Sequence, residues 1–269
     1  MKREIVAYVL SLQVLSERRS CQLIGISRRT YRYESIKDDL VVIEALSKAA
    51  ELHPGYGFWK LYHTLRREGC LWNHKRVYRI YCKLKLNIRR RIRKRLPKRV
   101  REPLAVPSMP DISWSMDFMS DSLYSGRRFR VLNILDDFNR ECVEMEIGTS
   151  ISSQRVIRVL DRLKQQGRKS QQIRVDNGPE FLAGVFQHWC QVNNVKIHYI
   201  QPGKPMQNGY IERFNGSCRK ELLDMYVFGS IYEVEQLAWQ WKENYNFNRP
   251  HKALNFKTPM EVRNKHFVT

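Results

Sequence analysis

Three acidic residues, far apart in the chain, have the types and surroundings for phosphoryl chemistry. Asp117 lies in Trp114-Ser115-Met116-Asp117-Phe118, Asp176 in Ile173-Arg174-Val175-Asp176-Asn177-Gly178, and Glu212 in Asn208-Gly209-Tyr210-Ile211-Glu212-Arg213-Phe214. Between them lie 58 residues for the first pair and 35 for the second. Each aspartate falls in or at the end of a short apolar run that reads as a buried strand, and the glutamate falls early in a helical segment, 207 to about 225. Hard divalent cations prefer oxygen ligands. Two such ions a few ångströms apart stabilise both the attacking and the leaving oxygen of an in-line phosphoryl displacement. A lone Asp near a strand end is ordinarily a turn or capping residue. An Asp inside the apolar run around Trp114, however, is costly to bury as a charge unless a cation or a donor compensates it. Asn177-Gly178 supplies a turn that exposes the strand end after Asp176.

These residues resemble the DDE motif of the retroviral-integrase-type catalytic core, in its form with a 35-residue second gap. More closely, Val175-Asp176-Asn177-Gly178-Pro179-Glu180-Phe181, the run Gln201 to Gly216 and Tyr245-Asn246-Phe247-Asn248-Arg249-Pro250-His251-Lys252-Ala253-Leu254 resemble the OrfB transposases of the third bacterial insertion-sequence family. The resemblance runs through nearly the whole chain and is most specific over 201–216. It implies that Asp117, Asp176 and Glu212 are the catalytic residues and the metal ligands, holding two Mg²⁺ ions for which Mn²⁺ substitutes. It also implies that Arg219, seven residues after Glu212 and on the same helix face, holds DNA near the reacting phosphate; guanidinium suits bidentate phosphate contact. Asp136 and Asp137 read instead as turn residues, and Glu180 as the acidic start of a helix.

The formal charge of +21 is unevenly spread: residues 1–110 hold 26 Lys and Arg against 9 acids, and 111–269 hold 22 against 18. The N-terminal part is therefore the contact for a polyanion. A membrane surface is the competing partner, but no long apolar span or signal segment appears. Six cysteines without a C-x-x-C pair read as reduced thiols. His53, His63, Cys70, His74 and Cys82 lack the paired spacing of a zinc site. Together with the resemblance, which implies a bacterial protein associated with the nucleoid, these features lead to an expected cytoplasmic location.

In chain order, residues 4–17 read as a helix with Ile5, Val9 and Leu12 on one stripe. Gly25 makes a turn and Ser27 caps a short basic helix carrying Arg28, Arg29 and Arg32. Short helix, Gly turn and capped basic helix form a helix-turn-helix pattern. A second helical unit begins near Asp38, with Leu40, Ile43, Leu46 and Leu52 on a stripe that stops at His53-Pro54-Gly55. A helix then runs to about Glu68, breaks at Gly69, and Asn73 caps another that exposes Lys75, Arg76, Arg79 and Lys83 and turns Val77, Ile80, Tyr81 and Leu84 to a core. Residues 83–101 contain eleven Lys and Arg and no acid, among them Arg90, Arg91 and Arg93; such a block favours phosphate contact through counterion release.

From 111 the rhythm changes. Strands are predicted over 113–119, 128–136, 142–147, 172–176 and 195–200, with helices over 152–166, 180–192 and 231–246. Three meander strands followed by helix–strand–helix–strand and a long helix give an α/β fold, a ribonuclease-H-like mixed-sheet catalytic core preceded by small all-α helix-turn-helix units. The expected division is 1–36 and 37–88 for the helical units, 89–110 for a basic Pro-containing linker, 111–226 for the core and 227–269 for a helical extension. The loop 201–207, with Lys204, stands where it can shape a DNA path.

The function expected is that of an insertion-sequence DNA transposase: metal-dependent cleavage of the element's terminal inverted repeats and transfer of the freed 3′-hydroxyl to target DNA. A ribonuclease-H-like nuclease that only hydrolyses, and a DNA-binding regulator with an inactive core, are the alternatives. No sustained heptad repeat is present to hold two copies together. Two DNA ends must be paired, so a homo-oligomer on DNA is expected. The resemblance further implies an upstream-frame OrfA-type protein, as fusion or partner, that supplies the pairing element.

Overall fold

The computed structural model describes residues 2–13, 15–33, 38–88, 106–201 and 205–268, with side chains omitted at 205, 206, 267 and 268. The chain forms two compact units, 1–42 and 43–269. In the first, α1 (Lys2–Ser11), α2 (Glu17–Ile24) and α3 (Arg28–Arg32) follow one another. The first helix is shorter than predicted: the chain breaks at Gln13, whose φ is +55°, and Ser16 restarts it by capping α2. Val6, not the Ile5–Val9–Leu12 stripe, is buried; Ile5 and Leu12 are exposed. Gly25 takes the left-handed conformation the turn requires, and the Ser27 hydroxyl accepts from the Thr30 amide, as the sequence predicts.

The next helices, α4 (Leu40–Leu52), α5 (Phe58–Arg67) and α6 (His74–Lys83), match expectation in extent. Asn73 caps α6 by accepting from the Lys75 amide at 2.9 Å. Val77, Ile80 and Tyr81 are buried, and in α4 the buried positions are Val42, Leu46 and Ala49 while Leu40 and Leu52 are exposed. The histidines of this region pack as rings: His53 stacks on Tyr56 at 4.4 Å and His63 on Phe256 at 4.0 Å.

The C-terminal part is built on a five-stranded sheet: β1 (Ser113–Ser122), β2 (Arg128–Asp136), β3 (Cys142–Gly148), β4 (Gln172–Val175) and β5 (Lys196–Tyr199), in the order β3-β2-β1-β4-β5. The first three strands are an antiparallel meander; β4 joins β1 in parallel and β5 joins β4 in parallel. Period-two alternation divides β1 between two cores. Trp114 and Met116 face α7 (Ser153–Gln165) and the pair α8 (Pro179–Leu182) and α9 (Gly184–Val192), where Val156, Leu160, Phe181 and Phe186 are buried. Met119, with Phe129 and Val131 of β2, faces α10 (Gly209–Glu221) and α11 (Ile231–Glu243), where Ile211, Phe214, Cys218, Val234 and Trp241 are buried. Asp117 alternates onto this second face, so the strand that builds the core also aims its carboxylate at α10.

A final helix, α12 (Pro259–Val268), falls within the expected helical extension 227–269, for which the sequence delimits only the helix 231–246. It is fixed by ion pairs: Arg263 reaches Asp111 and Glu141 at 2.8 Å each, and Arg168 joins the same two acids. Among the described residues no helix is long and apolar enough to cross a membrane.

Candidate active site

The helix α10 lies along β1, and three contacts fix its register. At its start, the Arg140 guanidinium sits 3.3 Å from the centre of the Tyr210 ring. One turn past Glu212, Asn215 Nδ2 donates to Asp117 Oδ2 at 2.7 Å. A turn further, Arg219 donates to Asp121 Oδ2 at 2.6 Å and to the Ser120 carbonyl at 2.7 Å. Positions 212, 215 and 219 share a helix face, and 117 and 121 share a strand face.

Asp117 Oδ1 accepts the Phe118 amide at 2.8 Å. Its carboxyl is pushed up to about 6, first by burial and then by the charges of Asp176 and Glu212, against the donors Phe118 N–H and Asn215. The three predicted carboxylates therefore share one electrostatic neighbourhood. Asp176 follows β4 in a tight turn in which its Oδ1 accepts the Gly178 amide at 3.0 Å; a Cβ on Gly178 would stand 3.0 Å from that oxygen, so a larger residue would crowd the turn. Asn177 Nδ2 donates to the Ile200 carbonyl at 3.1 Å and ties the turn to the end of β5. Asp176 and Glu212 are exposed and Asp117 half-buried, which leaves an open acidic face. Among the described residues no three His, Cys, Asp or Glu side chains are gathered closely enough to hold a metal ion.

The rival acids have structural partners. Asp136, buried, accepts the Asp111 and Phe138 amides at 2.7 and 2.8 Å. Asp137, also buried, accepts from Ser113, Ser115 and Arg174. Glu180 stands in the first turn of α8 and binds Arg130, whose guanidinium lies over the Phe118 ring. Asp136 accepts within a turn and Glu180 stands at a helix start, as the sequence suggests, whereas Asp137 binds residues of β1 and β4 instead of a turn.

For the DNA-contact residues the outcome is mixed. Arg28, Arg29, Lys75 and Arg79 are exposed on α3 and α6, and Arg76 is half-buried. Arg32 makes a bidentate pair with Glu17. Arg219 pairs with Asp121, not with Glu221 or Asp224, the acids nearest in sequence. Lys204, Arg90, Arg91 and Arg93 lie outside the described residues. Sequence reasoning missed Asn133, which donates through Nδ2 to Asn215 Oδ1 at 2.8 Å. Its signal was a single amide inside the apolar run Val131-Leu132-Asn133-Ile134-Leu135.

Residues 107–205 and 193–259 match families described as integrase core domains, and 36–95 an HTH-like domain. Over 257 residues the chain is 38% identical to the insertion element IS407 uncharacterized 31.7 kDa protein of Burkholderia multivorans, covering 95% of this chain and 93% of that one. The chain belongs to the insertion-element transposases of the third insertion-sequence family. A more distant transposase relative, the putative transposase InsK for the insertion element IS150 of Escherichia coli, is 23% identical over 228 residues, 79% of each chain. In fold, this transposase is similar to a chain of the simian T-cell lymphotropic virus intasome, with a TM-score of 0.53 at 18% identity over 81% of this chain and 74% of that one. The transposase is thus a DDE-type polynucleotidyl transferase with a ribonuclease-H-like core, and its substrate is DNA.

Proposed function

We propose that Asp117, Asp176 and Glu212 are the catalytic carboxylates and hold two Mg²⁺ ions, with Mn²⁺ as a substitute, for cleavage of the element's terminal repeats and strand transfer to target DNA. The observation that carries this reading is electrostatic: Asp117 is raised toward neutrality by burial and by the other two acids. Three carboxylates, one of them raised by burial and by the other two, are the oxygen donors that hard divalent cations take. When bound, such ions activate the attacking oxygen and stabilise the leaving one.

The chain's own residues supply the rest. Asp117 is presented by the central strand and oriented by Asn215 and the Phe118 amide; Asp176 is held by its turn; Glu212 projects from the first turn of α10. The open acidic face leaves room for a DNA strand, while Arg28, Arg29, Lys75, Arg76, Arg79 and the basic block around Arg90, Arg91 and Arg93 supply phosphate and base contacts elsewhere. Contact of Arg219 with a phosphate requires that the phosphate share or displace Asp121. Pairing of two DNA ends calls for a homo-oligomer on DNA and for the OrfA-type upstream partner or fusion, and the site of action is the nucleoid.

The test is incubation of end-labelled element DNA and Mg²⁺ with the full chain and with its fusion to the upstream frame, followed by mapping of nicked and joined products. Asp176→Asn and Glu212→Gln should lower cleavage and joining by orders of magnitude while DNA binding persists. Near-normal strand transfer by either variant would sink the assignment.

A further inference from the structure

Asn133 stands at the middle of β2, directly across from Asp117 in the antiparallel register, and is fully buried. It belongs to the face that carries Phe129, Val131 and Leu135, where every neighbouring position on its own strand is hydrocarbon. Its Nδ2 donates to Asn215 Oδ1 at 2.8 Å, and Asn215 Nδ2 donates in turn to Asp117 Oδ2 at 2.7 Å. Among the described residues Asn133 Oδ1 has no hydrogen-bond partner.

The direction of this chain is forced by chemistry. An ionised carboxylate only accepts, so Asn215 must turn its NH₂ toward Asp117. Its carbonyl oxygen then points at β2 and needs a donor there. Asn133 provides one with its own NH₂, which leaves its carbonyl oxygen buried and unpaired. A reversed Asn133 would set two carbonyl oxygens against each other; an apolar residue would leave Asn215 free to rotate. A buried acceptor without a partner destabilises a fold. Its presence in the core, opposite the one half-buried carboxylate of the site, marks a residue kept for what it orients.

We infer that Asn133 is a positioning residue of the transposase: acting through Asn215, it holds the Asp117 carboxylate in the orientation that receives a divalent cation. This rests on the assignment of Asp117 as a metal ligand. Outer partners that orient a ligand commonly change metal affinity by about 10–100-fold when removed.

The experiment uses the full-length protein without DNA. Free Mn²⁺ is measured by electron paramagnetic resonance during titration, alongside a thermal melt, for the wild type, Asn133→Leu, Asn133→Ala and Asp117→Asn. Asn133→Leu keeps the branched shape with somewhat bulkier ends, removes the orphaned acceptor, and leaves Asn215 Oδ1 without its donor. It should melt close to the wild type, one unpaired oxygen having replaced another, and yet bind Mn²⁺ about tenfold more weakly. Cleavage by the same variant should lose kcat with little change in KM for end DNA. A packing residue would do the reverse, lowering the melt and leaving Mn²⁺ affinity in place; that result overturns the inference. So does failure of both Asn133→Leu and Asn133→Ala to fold, because a group whose acceptor is already unpaired should be replaceable by carbon. Asp117→Asn separates the two readings: if it binds Mn²⁺ like the wild type, the ligand assignment itself has failed.

Discussion

Removing the charge of Asp117 should stabilise the protein while it abolishes the reaction. The carboxyl sits at about 6 instead of its ordinary 3.8. That difference of about two pH units, at ~1.4 kcal/mol each, means that the ionised group opposes folding by about 3 kcal/mol once the pH is above 6. Asp117→Asn keeps the shape but offers one oxygen where the carboxylate offered two. Either the Phe118 amide or Asn215 then faces an NH₂, a loss of about 1 kcal/mol. The net gain is about 2 kcal/mol, or about 4–8 °C in Tm for a unit of this size. The sign follows from linkage. Below 3.8 the side chain is protonated in both folded and unfolded states, and the wild type carries no penalty. As pH rises from 3.8 to 6 the unfolded chain ionises first, and the wild type loses stability relative to the variant. Above 6 the gap is constant. Thermal melts at pH 4, 5, 6 and 8 without divalent ions measure it directly. A gap that does not widen between pH 4 and 6, or an Asn variant that melts below the wild type at pH 8, would refute the idea that Asp117 lies in a repulsive, desolvating field.

Two further outcomes are expected. Glu221, at the end of α10, is largely covered between Lys60 at 3.0 Å and Arg249 at 2.8 Å; burial opposes its ionisation, yet Arg249 and Lys60 hold it below the usual carboxylate range. Glu221→Gln strands the buried Arg249 beside a partly exposed Lys60 and should destabilise by about 3 kcal/mol in chemical denaturation, whereas an unchanged midpoint would show the three groups to be hydrated. His251, which donates from Nε2 to the Tyr245 carbonyl at 3.0 Å and accepts from Arg249 at Nδ1, is pushed down to about 3, first by burial and then by Arg249. It stays neutral when folded and gains a proton on unfolding below 6.5, so the wild type should lose stability as pH falls from 6.5 toward 3. His251→Leu should be less stable at pH 7 but flatter across that interval, and equal slopes in the two proteins would count against the neutral buried ring.

The catalytic half was largely legible because its strands are hydrophobic and its turns are marked. The second strand, 128–136, emerges with the predicted bounds, and β1, β3, β4 and β5 differ by one to three residues at their ends. The acids were legible for a related reason: a charged residue inside an apolar run is conspicuous. The helix predicted over 180–192 divides at Ala183, and the long one from 207 narrows to α10 with 3₁₀ turns at each end, because helix ends depend on local closure that periodicity does not record. The first helix was overextended because Ile5, Val9 and Leu12 keep a helical spacing although most of that stripe is exposed. What the sequence could not reveal was partnership. Nothing in the spacing of Arg219 points to Asp121, 98 positions away, or in that of Asn133 to Asn215, 82 away. The anchoring of α12 by Arg263 likewise depends on acids more than a hundred residues upstream.

The order of strands in the sheet also sets when the chain becomes dangerous to DNA. The central strand β1 closes on one side with β2, its neighbour in sequence, but on the other side only with β4, after the crossover through α7. Local hairpins form early and parallel pairings across long connections form late. Asp117 is therefore in place on a nascent hairpin well before Asp176 joins it, and Glu212 arrives only after α8, α9 and β5. A ribosome-bound chain that has emerged only as far as β3 has one carboxylate of the three, and one that has emerged through β5 has two. Under the proposed chemistry, cutting is a property of the completed core alone, and a growing transposase is inert toward the gene that encodes it until its last catalytic helix has docked.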